Sequence, residues 1–144
     1  MNNKWYSLFK VLLGPPLLVW NRPTIEGAEN IPDEGAAILA SNHQAVLDSL
    51  YLPLLVRRQI TFPAKKEYFT TPGLTGRIQK FFFSSVGQIP VDRGAKDAGD
   101  ALQAAAKSVL DKGDLFGIYP EGTRSPDGHV YKGRTGLALS LIHI

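Results

Sequence analysis

The sequence contains no cysteine, and this absence excludes several kinds of site at once. Without thiols the chain forms no disulfide framework, no cysteine-ligated zinc centre and no cysteine nucleophile. Three histidines are present, at positions 43, 129 and 143, and their spacing matches no metal-ligand pattern. We therefore expect no bound metal.

Long hydrophobic runs are also absent. A helix that spans a bilayer needs about 20 consecutive apolar residues. The best candidate, residues 8–20, is shorter, contains Lys10 and is interrupted by Gly14-Pro15-Pro16. Aromatic rings beside cations favour instead a helical segment over residues 1–22 that lies in the membrane interface, the alternative being a helix that caps the domain core. These rings and cations are Trp5, Tyr6, Phe9 and Trp20, with Lys4, Lys10 and Arg22.

The excess of positive charge is small. The net charge is +3, and hydrophobic residues make up 44% of the chain, which is typical of a globular protein and not of a polycation or a disordered chain. Between residues 57 and 80, however, six cationic residues face a single glutamate. This stretch would suit phosphate-bearing substrates, an anionic bilayer or a simple solvated face. Few aromatics are interleaved with these cations, which disfavours nucleic-acid binding.

The length of 144 residues predicts a single domain over residues 1–144, and alternating strand and helix signals favour an α/β fold. Residues 23–27 are predicted to be extended. Helix 95–112 has the clearest pattern, because its apolar residues form one stripe and Gly113 follows as a stop signal. Strands are predicted at 35–40, 59–64 and 115–119, and helices at 46–56, 72–83 and 95–112.

His43 and Asp48 form the strongest chemical pair in the sequence. In one continuous helix their side chains would be about 140° apart around the axis and could not meet. They can meet if His43 lies in the loop after a strand and Asp48 in the first turn of the next helix, which Ser41 and Asn42 could cap. A carboxylate on one imidazole nitrogen makes the other nitrogen a base. The other interpretation is a capping histidine beside a helix N-terminal charge.

Two further segments combine turn residues with charge, residues 87–94 and 119–125. The second follows a predicted buried strand, and ligands of open α/β sheets bind in loops at the carboxyl ends of strands. Gly122 lets backbone amides approach an anion, and Arg124 offers a planar guanidinium that suits phosphate. A turn with a surface ion pair between Arg124 and Asp127 would explain the same residues without a function.

Taken in order, these segments resemble the motifs of the glycerolipid acyltransferase family, specifically its 1-acyl-sn-glycerol-3-phosphate acyltransferases. Asn42 to Asp48 matches the NHxxxxD signature, and residues 119–125 are similar to the FPEGTRS block, with Tyr for Phe. Residues 87–93 resemble the block between them, and residues 65–67 resemble a lysine-bearing segment of the family. The resemblance covers most of residues 20–138.

The resemblance implies a role for each matched residue. His43 is the general base that deprotonates an acceptor hydroxyl, and Asp48 orients it. Coenzyme A or acyl carrier protein brings the acyl thioester as a co-substrate, and no metal or resident cofactor is implied. The residues implied to bind the acceptor are Lys65, Arg93, Glu121, Gly122, Thr123 and Arg124, with Lys65 and Arg124 expected to contact phosphate.

The implied fold is an α/β domain with a mixed β-sheet flanked by helices, like that of the glycerol-phosphate acyltransferases, plus the N-terminal interfacial segment. The implied protein lies on the cytoplasmic face of the cell membrane, peripheral or monotopic, and converts lysophosphatidic acid to phosphatidic acid. Two alternatives stay open: an acyltransferase for glycerol 3-phosphate or another lysophospholipid, and a noncatalytic basic protein of the membrane surface.

The C-terminal residues depart from the family pattern. Family members usually continue past Lys132-Gly133 to a further strand with a proline-containing block, which residues 139–144 lack. The resemblance therefore implies that the C-terminal part of the domain is missing from this chain.

Overall fold

A computed structural model describes residues 3–92 and 94–134 of the chain. The described residues form helices and short strands in alternation, as predicted. The helices are α1 (Lys4–Asn21), α2 (Asp48–Leu55), α3 (Glu67–Thr70), α4 (Gly73–Ser85) and α5 (Ala98–Leu110), with a 3-10 turn at Ala28–Asn30. The strands are β1 (Ala37–Ala40), β2 (Ile60–Thr61), β3 (Pro63–Lys65), β4 (Ile89–Val91) and β5 (Leu115–Ile118).

The strands form two small parallel sheets. One has the order β1-β5-β2, and the other pairs β3 with β4. In the first sheet Ala40 of β1 lies opposite Ile118 of β5, so that the carboxyl ends of these two strands meet at one edge. The predicted α/β class with helices flanking the sheet is confirmed, and the pairings among the described strands are all parallel.

Strand β5 is the centre of the core, since all four of its residues are buried. Phe116 and Ile118 pack against α5, within a cluster that includes Ala106 and Val109. Leu115 points to the other face and packs against Ile60. Apolar residues on both faces are typical of a parallel strand covered by helices on both sides. Strand β1 was predicted to be buried but is only half-buried, because it lies at the edge of this sheet.

Helix α1 is continuous, so the predicted interruption at Gly14-Pro15-Pro16 is wrong. Proline in a helix removes a hydrogen bond to the carbonyl four residues earlier. Here those carbonyls belong to Val11 and Leu12, which lie on the exposed side of the helix, where water can replace the lost donors. Within the described residues no helix combines the length and hydrophobicity needed to cross a membrane.

Helix α1 is held to the core by two polar side chains. The Tyr6 hydroxyl accepts a hydrogen bond from the amide of Ile60 at 3.3 Å, and burial raises the pKa of Tyr6 to about 12. Lys10 Nζ donates to the carbonyl of Val56 at 2.6 Å, and burial lowers its pKa. One side of α1 therefore covers the core, as the core-capping interpretation predicted, and the other side is exposed. Binding of this helix to a membrane interface stays a prediction.

Other element predictions agree in part. The apolar stripe of the predicted helix 95–112 is confirmed in α5, and Gly113 follows with a positive φ of 75°. The predicted strand 59–64 is split into β2 and β3 at Phe62, which is where the chain passes from one sheet to the other. Residues 23–27 form no strand. Strand β4 was not predicted, because Gly87 and Pro90 in the same segment indicate a turn.

Candidate active site

The site is built where β1 and β5 end. The loop after β1 carries His43 and leads into α2, and the loop after β5 begins at Tyr119. The amide of Ser41 donates to the carbonyl of Ile118 at 3.1 Å, which extends the parallel pairing by one residue beyond both strands. Two loops that are about 80 residues apart in sequence therefore leave the sheet side by side.

His43 and Asp48 meet, as the loop-to-helix interpretation predicted. His43 lies in the loop and Asp48 is the first residue of α2, with 3.1 Å between His43 Nδ1 and Asp48 Oδ2. In the neutral imidazole this arrangement places the proton on Nδ1, which donates to the carboxylate, and leaves Nε2 as the basic nitrogen. The described residues provide Nε2 with no hydrogen-bond partner.

The carboxylate of Asp48 also closes the loop in front of its own helix. Its Oδ2 accepts hydrogen bonds from the amides of Gln44 and Ala45, each at 2.7 Å. Burial alone would raise the pKa of Asp48, but these amides together with His43 outweigh it, so its pKa lies below the ordinary value. The expected capping by Ser41 and Asn42 is wrong: the Ser41 hydroxyl donates to the carbonyl of Asn42, and the carboxylate that organises the turn is that of Asp48.

The imidazole ring of His43 is packed on a tyrosine that the sequence analysis gave no role. The rings of His43 and Tyr119 stack with their centroids 4.0 Å apart, and Phe62 stacks on the far side of Tyr119 at 5.5 Å. The His43 side chain retains only 16% of its exposure. Its ring is thus fixed by a carboxylate at one nitrogen and by an aromatic face. The sequence feature that could have indicated this stacking is the position of Tyr119 directly after β5, the strand that pairs with β1.

Glu121 ties the second loop to the first. Its Oε2 accepts a hydrogen bond from the amide of His43 at 3.0 Å, and the amide of Ser125 donates to the carbonyl of His43 at 2.7 Å. A third link runs from the Gln44 side chain to the carbonyl of Gly128 at 3.1 Å. The backbone of His43 is therefore held from both sides by residues 121–128, so the position of the base depends on the second loop.

Gly122 forms a turn that brings a further arginine to the site. Its φ is +72°, a value that favours glycine, and its amide donates to the carbonyl of Tyr119 at 3.0 Å. Arg134 donates its amide to the carbonyl of Pro120 at 2.8 Å, and its Nε would lie 3.2 Å from a Cβ added at Gly122. Arg134 was missed in the sequence, since it lies nine residues after the matched block and its proximity comes from the folding back of residues 126–134.

Two implied acceptor residues, Thr123 and Arg124, occupy less connected positions. Thr123 and Arg124 are exposed in the same loop, and the described residues place no carboxylate beside the Arg124 guanidinium. The alternative that Arg124 pairs with Asp127 is wrong, because Asp127 accepts instead from Ser125, Tyr131 and the amide of His129. Arg124 is therefore a cation without an acidic partner among the described residues.

The remaining implied acceptor residues are Lys65 and Arg93, of which the structure describes only Lys65. Lys65 is the last residue of β3, opposite Val91, and its exposed side chain has no described contact with either loop of the site. Arg93 lies outside the described residues. Its neighbour Asp92 accepts from Lys66 Nζ at 3.5 Å. The structure therefore brings together His43, Asp48, Glu121 and Gly122, and does not join Lys65 to them by a direct contact.

The described residues offer no site for a metal. No group of three histidine or acidic side chains within residues 3–92 and 94–134 is arranged to ligate one. For acid–base chemistry the site offers an oriented imidazole, with cations of the second loop nearby.

Comparisons with known proteins show which family this chain resembles. A 1-acyl-sn-glycerol-3-phosphate acyltransferase of Helicobacter pylori is 33% identical over 99 residues, covering 69% of this chain and 40% of that protein. A chloroplastic 1-acyl-sn-glycerol-3-phosphate acyltransferase of Arabidopsis thaliana is 34% identical over 108 residues, covering 74% of this chain and 28% of the other. The chain thus spans less than half the length of these relatives.

A solved structure is similar over almost the whole chain. The 1-acyl-sn-glycerophosphate acyltransferase of Thermotoga maritima has a TM-score of 0.66 and 24% identity, and the match covers 94% of this chain and 52% of that one. This likeness confirms the fold. The sequence model of the Acyltransferase family matches residues 22–143, which include both loops of the site. The chain therefore belongs to the acyltransferase family.

Proposed function

We propose that this chain transfers a fatty acyl group from a thioester to the sn-2 hydroxyl of lysophosphatidic acid, forming phosphatidic acid. The observation that carries the proposal is the contact between His43 Nδ1 and Asp48, which leaves Nε2 available as a base, with no hydrogen bond to a serine or threonine hydroxyl among the described residues. A base of this kind needs a hydroxyl from the substrate. The names of the relatives support lysophosphatidic acid as the acceptor.

The proposed reaction proceeds by direct attack. Nε2 of His43 takes the proton of the acceptor hydroxyl, while the oxygen of that hydroxyl attacks the thioester carbonyl. The tetrahedral intermediate collapses with cleavage of the C–S bond, and the imidazolium returns the proton to the leaving thiolate. Asp48 stabilises the imidazolium that forms between these steps. The donor is acyl-coenzyme A or acyl-acyl carrier protein, since both present the same thioester.

The acceptor phosphate is assigned to cations near the second loop. Arg124 and Arg134 flank the turn at Gly122, and neither has a described acidic partner. Glu121 and Thr123 belong to the same loop, and Glu121 positions the amide of His43. A guanidinium binds phosphate with two parallel hydrogen bonds, which suits recognition of a lysophospholipid headgroup. Lys65 and Arg93 are proposed to approach the same phosphate when the substrate is bound.

The proposed location is the cytoplasmic face of the cell membrane, as a peripheral or monotopic protein. Support comes from the outer side of α1, where large apolar side chains are exposed, Trp20 at 86% and Val19 at 73%. A lysophospholipid acceptor resides in a membrane, and rings at this position suit the interfacial region of a bilayer.

The test is an acyl-transfer assay that compares His43→Ala with His129→Ala. The chain is incubated with lysophosphatidic acid and either acyl-coenzyme A or acyl-acyl carrier protein, and phosphatidic acid is measured. Loss of the general base is expected to lower kcat by about 10²–10⁴-fold. His129 is an exposed histidine, so its replacement controls for the loss of an imidazole as such.

Two results would overturn parts of the proposal. Near-normal turnover by a folded His43→Ala variant would exclude the base mechanism. A clear preference for glycerol 3-phosphate or another lysophospholipid would replace the acceptor, and absence of transfer to any of these acceptors, with vesicle binding intact, would favour a noncatalytic membrane-surface protein.

A further inference from the structure

We propose that a cleft between the N-terminus of α1 and the outer side of α4 binds the phosphate group of an anionic phospholipid in the bilayer. The cleft is an open depression of about 570 Å³, and no described hydrogen bond or ring contact joins its lining residues to His43. It is here named the α1–α4 cleft. Its lining combines two aromatic rings, two cations and three polar side chains, namely Trp5, Phe81, Arg77, Lys80, Asn3, Ser84 and Ser85.

The cations of the cleft have no acidic partner in the described chain. Arg77 and Lys80 are three residues apart on α4 and Ser84 lies one turn further, so the three side chains share one side of the helix. Both cations are exposed, and no ion pair of the described residues includes either of them. Two unpaired cations beside a hydroxyl form a surface that attracts a phosphate group.

An apolar stripe borders these cations directly. Leu74, Ile78 and Phe81 recur at helical spacing on α4 and are exposed by 74%, 60% and 53%. Such a stripe in water is unfavourable, whereas at a bilayer surface it would enter the acyl region while Arg77 and Lys80 stay at headgroup depth. A free phosphate ion would leave the stripe in water, so the pattern favours a phosphate attached to a lipid.

The same surface continues onto α1. The rings of Trp5 and Phe81 are in edge contact, with centroids 5.4 Å apart, and Phe9 contacts Phe82 in the same way at 5.1 Å. Leu8, one turn after Trp5, is also exposed. Trp5 therefore joins the exposed apolar stripe of α4 to exposed apolar side chains of α1, with the cations of α4 beside that stripe. This is the arrangement expected of a face that lies on an anionic membrane.

The proposal is tested by flotation of the chain with two kinds of vesicle. One kind contains phosphatidylcholine alone, and the other contains phosphatidylcholine with one third phosphatidylglycerol. The variant Arg77→Gln/Lys80→Gln is compared with Lys96→Gln/Lys112→Gln, which removes two exposed cations elsewhere. The first variant is expected to lower partitioning onto the anionic vesicles by about tenfold or more. The control is expected to stay close to the unaltered chain.

Position in the bilayer provides a second readout. The chain has two tryptophans, so Trp20→Phe leaves Trp5 as the sole reporter at the cleft. Its emission is expected to shift to the blue on anionic vesicles and to be quenched by brominated lipid, and Arg77→Gln/Lys80→Gln is expected to weaken both effects.

Three results would overturn the proposal. Equal losses in the two double variants would indicate a general effect of net charge, and unchanged binding in both would exclude the cleft. Dimerisation without vesicles, abolished by Arg77→Gln/Lys80→Gln, would assign the surface to a second copy of the chain. The readout is independent of acyl transfer: His43→Ala is expected to bind both vesicles like the unaltered chain, so failure here and failure of the proposed reaction are separate outcomes.

Discussion

The geometry of His43 depends on contacts of three kinds. Asp48 holds Nδ1 at 3.1 Å, Tyr119 covers the ring face, and Glu121 accepts from the backbone amide. The contact with Asp48 fixes the tautomer, the contact with Tyr119 fixes the ring plane, and the contact with Glu121 fixes the path of the backbone. Burial raises the pKa of Tyr119, whose ring packs on the imidazole. The His43 imidazole is therefore held in place before any substrate binds.

Asp48 is expected to make the stability of the chain dependent on acid pH. Its pKa is lower in the folded chain than its ordinary value of about 4, so the carboxylate stabilises the fold above that value and loses this effect as the pH falls through the folded pKa. Asp48→Asn should therefore lower the Tm at pH 7, and its difference from the unaltered chain should shrink below about pH 4. Thermal unfolding at several pH values measures this, with the exposed Asp114→Asn as control. A difference that is constant with pH would contradict the assignment.

Arg124→Lys is expected to weaken binding of the acceptor. Lysine keeps the charge but loses the planar fork of donors that suits a phosphate. A charge-assisted hydrogen bond contributes about 1.5–3 kcal/mol, so the KM for lysophosphatidic acid should rise by about one to two decades if it follows binding. The KM for the acyl donor should change far less. Equal shifts in both constants, or a shift in the donor constant alone, would exclude phosphate recognition by Arg124.

At the scale of elements, the position of the site follows from the neighbours of β5. The ring of Phe62, at the point where the chain leaves β2, crosses over Gly117 of β5 and stacks on Tyr119, which in turn supports His43. Glycine is required at position 117 because a side chain there would collide with the Phe62 ring. Its φ is not positive, so backbone conformation is not the reason. The packing at Gly117 thereby fixes the position of the Tyr119 ring, which stacks on His43.

Gly117→Ala is expected to destabilise the fold by about 1–3 kcal/mol through overpacking. The added Cβ would lie 2.7 Å from Ile60 Cγ2 and still closer to the Phe62 ring, and both neighbours are in the core. Gly99→Ala is the matched control, because nothing lies within 4 Å of its added Cβ and it is in α5, where alanine is favoured. Chemical denaturation should show opposite signs for the two variants. Equal effects would mean that the crossing at Gly117 is not tight.

On the scale of the whole molecule, the chain has two sides of different composition. The ends of β1 and β5 carry the candidate active site, while α1 and α4 carry exposed apolar and cationic side chains. An acyltransferase whose acceptor is a membrane lipid needs both a protected base and a surface that meets the bilayer. This division between the two sides is consistent with both proposals.

The chain is expected to bind vesicles in a way that can be reversed. Within the described residues no helix is long and apolar enough to cross a bilayer. The prediction assumes that binding occurs through interfacial rings and cations. High salt or alkaline carbonate should release at least part of the bound protein, because salt screens the cations and carbonate removes peripheral contacts. Centrifugation of vesicles after each wash measures the release. Complete resistance to both washes, with Lys4 protected from external protease, would indicate a spanning segment instead.

The sequence by itself determined the α/β class, the apolar stripe of α5 and the two motif loops, because each depends on local spacing. The stripe follows from helical periodicity in α5. The loops follow from the position of His43, Asp48 and residues 119–125 after strands. The contact between His43 and Asp48 was one of two arrangements that the spacing allowed. What only the tertiary structure decided are contacts between distant segments. Tyr119 stacks on His43, Glu121 accepts from its amide, and Arg134 returns to Gly122. No local pattern encodes these contacts. The first two arise from the parallel pairing of β1 with β5, which brings together residues about 80 positions apart, and the third arises from the folding back of residues 126–134.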